Sequence, residues 1–204
     1  MISRANIRWR PSHPRDFIDA RRRKPSEEEL TNLIKDSKYP PLFVYGHLML
    51  PTVLKYFLDI PQSANVDMIF ATLGGYKLYH FSDETNDCLG LPTIRPSSSS
   101  YHHVEGMLIF GLTKEQRSMV SEVEGAPTGQ TPLVDVQVRV SQLDTFARCQ
   151  YTSQKLVDAG AFVWIKTDGW SLEGVEPMET SYWPIDEFLH GQLYENIVRY
   201  QNRS

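Results

Sequence analysis

The apolar positions of this chain fall in short blocks divided by glycine, proline and serine. Leu42-Phe43-Val44-Tyr45 is apolar and rich in β-formers, which predicts a buried strand. Gly46 breaks it, Pro51 suits a first helical position, and Val53, Leu54, Phe57 and Leu58 then share one helical face. Met68 to Phe81 reads as one or two strands hinged at Gly74-Gly75, and 82–101, with Pro92, Pro96 and a serine run, reads as loop. Val104 to Phe110 is apolar on both alternating faces, the signature of a central strand. Thr113 with Gln116 spells a capping box opening a helix. Met119, Val120 and Val123 supply its buried side, and Gly125 is placed to end it. In Leu133 to Val140 the alternation is cleanest: Val134, Val136, Val138 and Val140 face one way, Asp135, Gln137 and Arg139 the other. Residues 141–158 read as polar and irregular, Ala161 to Ile165 as a further strand. Pro184 opens a last helix with Ile185, Leu189, Leu193 and Ile197 at four-residue spacing.

The N-terminal stretch breaks this rhythm. Residues 1–24 are rich in Arg and Pro, lack an apolar period and end in Arg21-Arg22-Arg23-Lys24. They read as a solvated arm that contributes little to the core; a nuclear-targeting cluster or an anion-binding arm is the sharper alternative. Ser26 and Glu29 form a capping box, and Leu30, Leu33 and Ile34 give the short helix behind it one apolar face. The expected division is an arm and short helix over 1–38 and one compact domain over 39–204.

Composition narrows the class. A length of 204 residues suits a single core, and 41% hydrophobic with 23% charged residues is ordinary for a globular chain. The net charge of −4 gives no pull toward nucleic acid or membrane. It is uneven: residues 1–24 hold eight Lys/Arg against two Asp/Glu, a balance of +6, which leaves −10 on the rest. Cys88 and Cys149 form neither a metal motif nor a disulfide framework, so a reducing, cytoplasmic setting is the simpler reading. No apolar run approaches the ~20 residues that span a bilayer, and no apolar stretch follows the N-terminal arginines as in a secretory signal.

The chain has no phosphate-binding glycine loop, no dinucleotide fingerprint, no nucleophile elbow and no zinc-protease helix. Its histidines do not cluster with carboxylates at metal-ligand spacing, so the expectation is chemistry without metal or cofactor on a small-molecule substrate, or no chemistry. Glu124 is the candidate acid/base. It closes the 113–123 helix beside Gly125, where the negative end of the helix dipole and nearby Glu122 both push a carboxyl pKa upward. The plain alternative is a solvated glutamate at a helix end. The strand-turn-helix at 42–58 is the second element, because a glycine turn ahead of a helix presents backbone N–H groups that can hold a carboxylate; its alternative is an ordinary turn packed by a core tyrosine. His47 is expected near a pocket mouth, with a surface histidine as the alternative.

An ordered set of short motifs adds to this. Phe43-Val44-Tyr45-Gly46-His47-Leu48, Val104-Glu105-Gly106 to Leu112, Glu122-Val123-Glu124-Gly125, the valine-rich strand and Phe162-Val163-Trp164 together resemble the γ-glutamylcyclotransferase-like family in its AIG2-like branch, over roughly 42–190. The resemblance implies a mixed α/β fold, in which a barrel-like mixed sheet of six or seven strands with flanking helices encloses one cavity. It implies a transferase of the acyl-transferring type that releases 5-oxoproline from a γ-glutamyl amide. Glu124 would be the catalytic proton carrier, and Tyr45, Gly46, His47 and Leu48 would bind the γ-glutamyl end. The chain departs from the pattern in four places. His47 replaces a Ser or Thr, Ser121 an aspartate, Thr131 stands near the expected post-glutamate tyrosine, and Leu91-Pro92-Thr93 stands for a Tyr-Pro-Ala segment. These departures suit an altered substrate choice within an enzyme that keeps its glutamate. The alternatives are reuse of that glutamate for another proton-transfer or cyclisation reaction, and a non-catalytic small-molecule-binding relative. The oligomeric state is not legible.

Overall fold

The computed structural model describes residues 13–81, 92–125, 131–146, 149–164 and 175–201. Its frame is a five-stranded closed barrel in the order β1-β5-β2-β6-β7. The strands are β1 (Leu42–Val44), β2 (Met68–Gly74), β5 (His103–Ile109), β6 (Leu133–Phe146) and β7 (Cys149–Phe162). Beside it lies a three-stranded sheet of β4 (Pro92–Pro96), β3 (Tyr76–Phe81) and β8 (Val175–Pro177). The strands expected near 42–45, 104–110, 133–140 and the start of 161–165 all belong to the barrel; Ile165 lies outside the described residues. β1 runs antiparallel to β5 and parallel to β7, which makes the sheet mixed.

Patterning explains most of these elements. Val136, Val138 and Val140 are buried while Asp135, Gln137 and Arg139 are exposed, so β6 keeps the wet face its alternation predicts. β2 turns into β3 at Gly75, whose φ of +76° lies in the left-handed region that favours glycine. Gly106 in β5 lies under the ring of Phe43; a Cβ there would sit 2.6 Å from Phe43 Cζ, so only glycine lets β1 pack this closely. Both capping boxes form. Ser26 and Glu29 open α2 (Glu27–Asp36), and Thr113 and Gln116 exchange bonds ahead of α4 (Lys114–Gly125).

Four expectations need correction. The polar stretch 141–158 is not irregular in its described residues, 141–146 and 149–158: β6 and β7 pair from Leu133↔Phe162 to Phe146↔Cys149, a ribbon much longer than the other barrel pairings. Its outer part, from Ser141, is mostly exposed on β7 and mostly half-buried on β6, with the polar Gln142 as its buried side chain, so apolar alternation does not mark it. Within 82–101, residues 92–96 form β4; residues 82–91 lie outside the described set. The last helix is two, α5 (Ile185–Leu189) and α6 (Gln192–Gln201), divided at His190-Gly191. The basic arm, finally, packs on the fold from residue 13 onward.

That arm contains α1 (Arg15–Arg22), which lies against β2 and α3 (Pro51–Phe57). Phe17 is completely buried. Arg21 pairs with Glu105 of β5 at 3.0 Å, both side chains nearly closed to solvent, and its guanidinium stacks 4.4 Å from the Phe70 ring centroid. Arg23 reaches Asp67 at 2.7 Å, Asp16 accepts from Thr52 at 2.7 Å, and His13 meets Asp186 at 3.0 Å. The charge that suggests a solvated tail is therefore spent partly on carboxylates of the domain. An eight-residue helix with one fully buried apolar side chain is too short to announce itself by periodicity. Residues 1–12 are outside the described set. Among the described residues no helix is long and apolar enough to cross a membrane.

The buried contacts of α1 set a stability expectation. Phe17→Ala should lower unfolding stability by about 3–5 kcal/mol. Arg21→Ala, which strands the Glu105 carboxylate, should cost a comparable ~3–5 kcal/mol. Denaturant titration checks both; losses under ~0.5 kcal/mol, the surface range, would return this segment to the status of a tail.

Candidate active site

β1 ends at Val44, and Tyr45 continues inward, buried at 2% exposure. Its hydroxyl donates to the carbonyl of Phe162, at the end of β7, at 2.6 Å. The phenol is thereby fixed across the parallel seam of the barrel. Burial first, and the neighbouring Glu124 carboxylate second, hold its pKa well above the ordinary tyrosine value. The end of α4 lies close by, because Thr131 bonds the Glu124 carbonyl and Val163, next to Phe162, donates to the Pro132 carbonyl at 3.1 Å.

Glu124 stands in the last turn of α4. The residue as a whole is partly exposed, but its Oε1 is closed off from solvent and has no hydrogen-bond partner. Enclosure of that oxygen governs its ionisation: burial raises the carboxyl pKa from 4.5 to about 7. The expected contribution of Glu122 is not the cause, since Glu122 is exposed and desolvation alone accounts for the rise. Thr131, where the family pattern has an aromatic nearby, donates its hydroxyl to the Glu124 carbonyl at 3.0 Å. It satisfies one of the free carbonyls at the helix end and fixes the backbone that carries the carboxylate.

The turn is built tightly. Gly46 leads into a 3-10 turn, His47–Met49, in which Met49 N–H donates to the Gly46 carbonyl at 3.0 Å and Leu50 N–H to His47 at 3.1 Å. A Cβ on Gly46 would come within 2.9 Å of the Pro92 ring, so glycine lets β4 approach the turn. Leu48 is a core side chain, fully buried; what this turn can offer a ligand is backbone. His47 does not stand at a mouth. Its ring is buried among Phe57, Phe188 and Trp183, with centroids 5.5, 5.9 and 6.5 Å away, and burial lowers its pKa to about 4. A neutral imidazole inside an aromatic cluster acts as a packing group.

One site residue escaped the sequence reading. Thr93 of β4 is 1% exposed, and its Oγ1 has no hydrogen-bond partner. It stands close enough to the Tyr45 phenol to favour its ionisation, yet completes no hydrogen bond of standard geometry with it. Position 93 is the third residue of the Leu-Pro-Thr segment that departs from Tyr-Pro-Ala, and that departure was its signal. Among the described residues no three His, Cys, Asp or Glu side chains gather as metal ligands.

The two perturbed groups pull stability in opposite directions with pH. Glu124 binds its proton more tightly folded than unfolded, so its contribution is full below pH 4.5 and is lost as pH rises toward about 7. His47 binds its proton less tightly folded, so its contribution is full above pH 6.5 and is lost as pH falls toward about 4. Glu124→Gln should therefore stabilise the protein at pH 8 by roughly 1–3 kcal/mol, with little effect at pH 4.5. His47→Phe should flatten the acid side of the profile. Thermal melts from pH 4 to 9 test both; a Glu124→Gln variant less stable than wild type at pH 8 would contradict the enclosed carboxyl.

Residues 42–183 match the family model described as "Gamma-glutamyl cyclotransferase, AIG2-like". No curated protein matches this chain. Among solved structures, the solution structure of At5g39720.1 from Arabidopsis thaliana is 18% identical, covers 81% of this chain and 91% of its own, and has a TM-score of 0.46. A structure named "Gamma-glutamyl cyclotransferase" is 17% identical, covers 80% and 98%, and has a TM-score of 0.49. The uncharacterized protein loc79017 from Homo sapiens is 19% identical, covers 69% and 72%, and has a TM-score of 0.43. The family model spans well over half of the sequence and takes in Tyr45, Thr93 and Glu124 alike: the chain belongs to the γ-glutamyl cyclotransferase, AIG2-like family.

Proposed function

We propose that this protein is a γ-glutamyl cyclotransferase-type enzyme that releases 5-oxoproline from a small γ-glutamyl amide, with Glu124 as its single proton carrier. The carrying observation is the enclosed, unpartnered Oε1 of Glu124, with a carboxyl pKa raised to about 7 beside the Tyr45 turn. A carboxyl titrating there is an effective base that can also return its proton as an acid near neutrality.

In this reading the substrate's α-amine attacks its own γ-carbonyl carbon. Glu124 takes a proton from the nitrogen as the new C–N bond closes the five-membered ring. The tetrahedral intermediate then expels the original amide nitrogen, which receives that proton from Glu124. One C–N bond forms, one breaks, and no water is consumed. Nucleophile and electrophile share one molecule, so the protein needs to supply only orientation and a proton path. Backbone groups of Gly46 to Leu48 anchor the γ-glutamyl end. Thr131 serves by fixing the backbone of Glu124. The burial of His47 where the family pattern has a small hydroxyl residue favours a second reading, in which the same Glu124 serves another proton-transfer or cyclisation reaction on a different small amide or amine.

The test is release of 5-oxoproline from a panel of γ-glutamyl amides, quantified by mass spectrometry. Glu124→Gln should reduce turnover by at least ~10², whereas Glu122→Gln, on the exposed side of the helix, should stay within about twofold of wild type. The wild-type kcat/KM should rise with pH up to about 7 and then level, because the base form of Glu124 is required. Equal product from Glu124→Gln and wild type would remove the catalytic assignment.

A further inference from the structure

Tyr45 has committed its proton: the hydroxyl donates to the Phe162 carbonyl at 2.6 Å. Toward β4 the phenol oxygen therefore offers lone pairs only. The nearby Thr93 hydroxyl is enclosed and has no partner of standard geometry, so its oxygen has lone pairs free to accept. The end of α4 reaches the same place through backbone geometry: Thr131 bonds the Glu124 carbonyl, and Val163, next to Phe162, donates to the Pro132 carbonyl at 3.1 Å; Glu124 Oε1 is enclosed there and, when ionised, is also an acceptor. Two enclosed oxygens without partners thus lie on segments, β4 and the end of α4, that meet the end of β7 where the phenol is fixed, and both can accept. Buried polar atoms left without partners are costly in a folded protein, and a ligand donor is what this pair lacks. An amine has several N–H groups and can reach two acceptors together; a carboxylate or carbonyl has none to give.

We propose that Thr93 is a substrate-binding residue whose hydroxyl, together with the Glu124 carboxylate, holds the α-amine of the ligand and so selects ligands that carry one. This rests on the cyclotransferase reading and deepens it. The attacking nitrogen would be held between the group that takes its proton and a neutral acceptor that fixes its direction. Thr93 acts as a specificity determinant: alanine, which the family pattern has at this place, offers no acceptor.

The test uses γ-glutamyl methylamide and its desamino analogue, glutaric acid monomethylamide. Their dissociation constants are measured by calorimetry in a Glu124→Gln background, where turnover is blocked and an amide oxygen keeps the acceptor. The amine-bearing ligand should bind at least about tenfold tighter than the analogue. Adding Thr93→Val should erase most of that preference, and adding Thr93→Ser should keep it. Thr93→Val should also melt no lower than its parent, because an apolar isostere replaces a hydroxyl with no partner. Undiminished preference in Thr93→Val overturns the inference, and so does a variant that melts several degrees lower or fails to fold, because either result makes Thr93 a structural group. Those outcomes leave the cyclotransferase reading standing if wild type releases 5-oxoproline. Absence of both 5-oxoproline release and binding of either ligand overturns the two together.

Discussion

The closure of the barrel at the β1–β7 seam holds the rest in place. Leu42 and Phe43 pair in parallel with Gly160 and Ala161, and Gly160 N–H donates to the Pro41 carbonyl at 2.9 Å. The seam is narrow: a Cβ on Gly160 would stand 2.9 Å from Leu133 Cδ1 and 3.2 Å from Leu42 Cδ2. One step beyond it, the Tyr45 hydroxyl bonds Phe162 and fixes where the chain leaves the barrel. The turn at Gly46, the approach of β4 through Pro92 and the place of the phenol all follow from that exit point. Alternative strand pairings would lose the seam and the site together.

The site works by withholding partners. Glu124 Oε1 and Thr93 Oγ1 are enclosed and unsatisfied, as is His47 Nδ1 in the turn, while other polar groups near them are bonded: Tyr45 to Phe162, Thr131 to the Glu124 carbonyl, Trp164 N–H to the Ile94 carbonyl at 2.9 Å. A bonded surround holds the two oxygens in place, and low polarisability around them strengthens any interaction a ligand brings. Nearby, His47 shows the opposite use of burial. Its ring is kept neutral by aromatic neighbours and contributes packing.

Sequence made local structure legible wherever one face of an element is dry. The valines of β6, the two capping boxes and the Gly74-Gly75 hinge needed no tertiary information. Glu124 could be singled out too, although the cause of its perturbation differs: enclosure in place of the helix end and Glu122. Elements held by distant polar partners were not legible. The outer β6–β7 ribbon is ordered by pairing with itself and by the start of α2, where Leu143 N–H donates to the Pro25 carbonyl at 2.9 Å, so hydropathy carries no trace of it. The helix α1 owes its place to Phe17 and to acids far along the chain, which a count of arginines reads as solvation. Thr93 left only its departure from the family pattern as a trace, because an unpartnered hydroxyl is recognised only once its surroundings are known.

The placement of α1 also bears on how the chain reaches its fold. Arg21 meets Glu105 across 84 positions, His13 meets Asp186 across 173, and Tyr45 meets Phe162 across 117. On the ribosome α1 therefore emerges long before its partners, and the barrel cannot close until β7 has left the exit tunnel. Contacts of such sequence separation slow folding, because loop-closure entropy is lost before the contact forms. During that interval Phe17 and the apolar faces of β1 and β2 are open to aggregation and to chaperones. The +6 charge of residues 1–24 then has a second use during synthesis: mutual repulsion keeps the nascent segment hydrated and apart from its copies until the acids that neutralise part of it arrive.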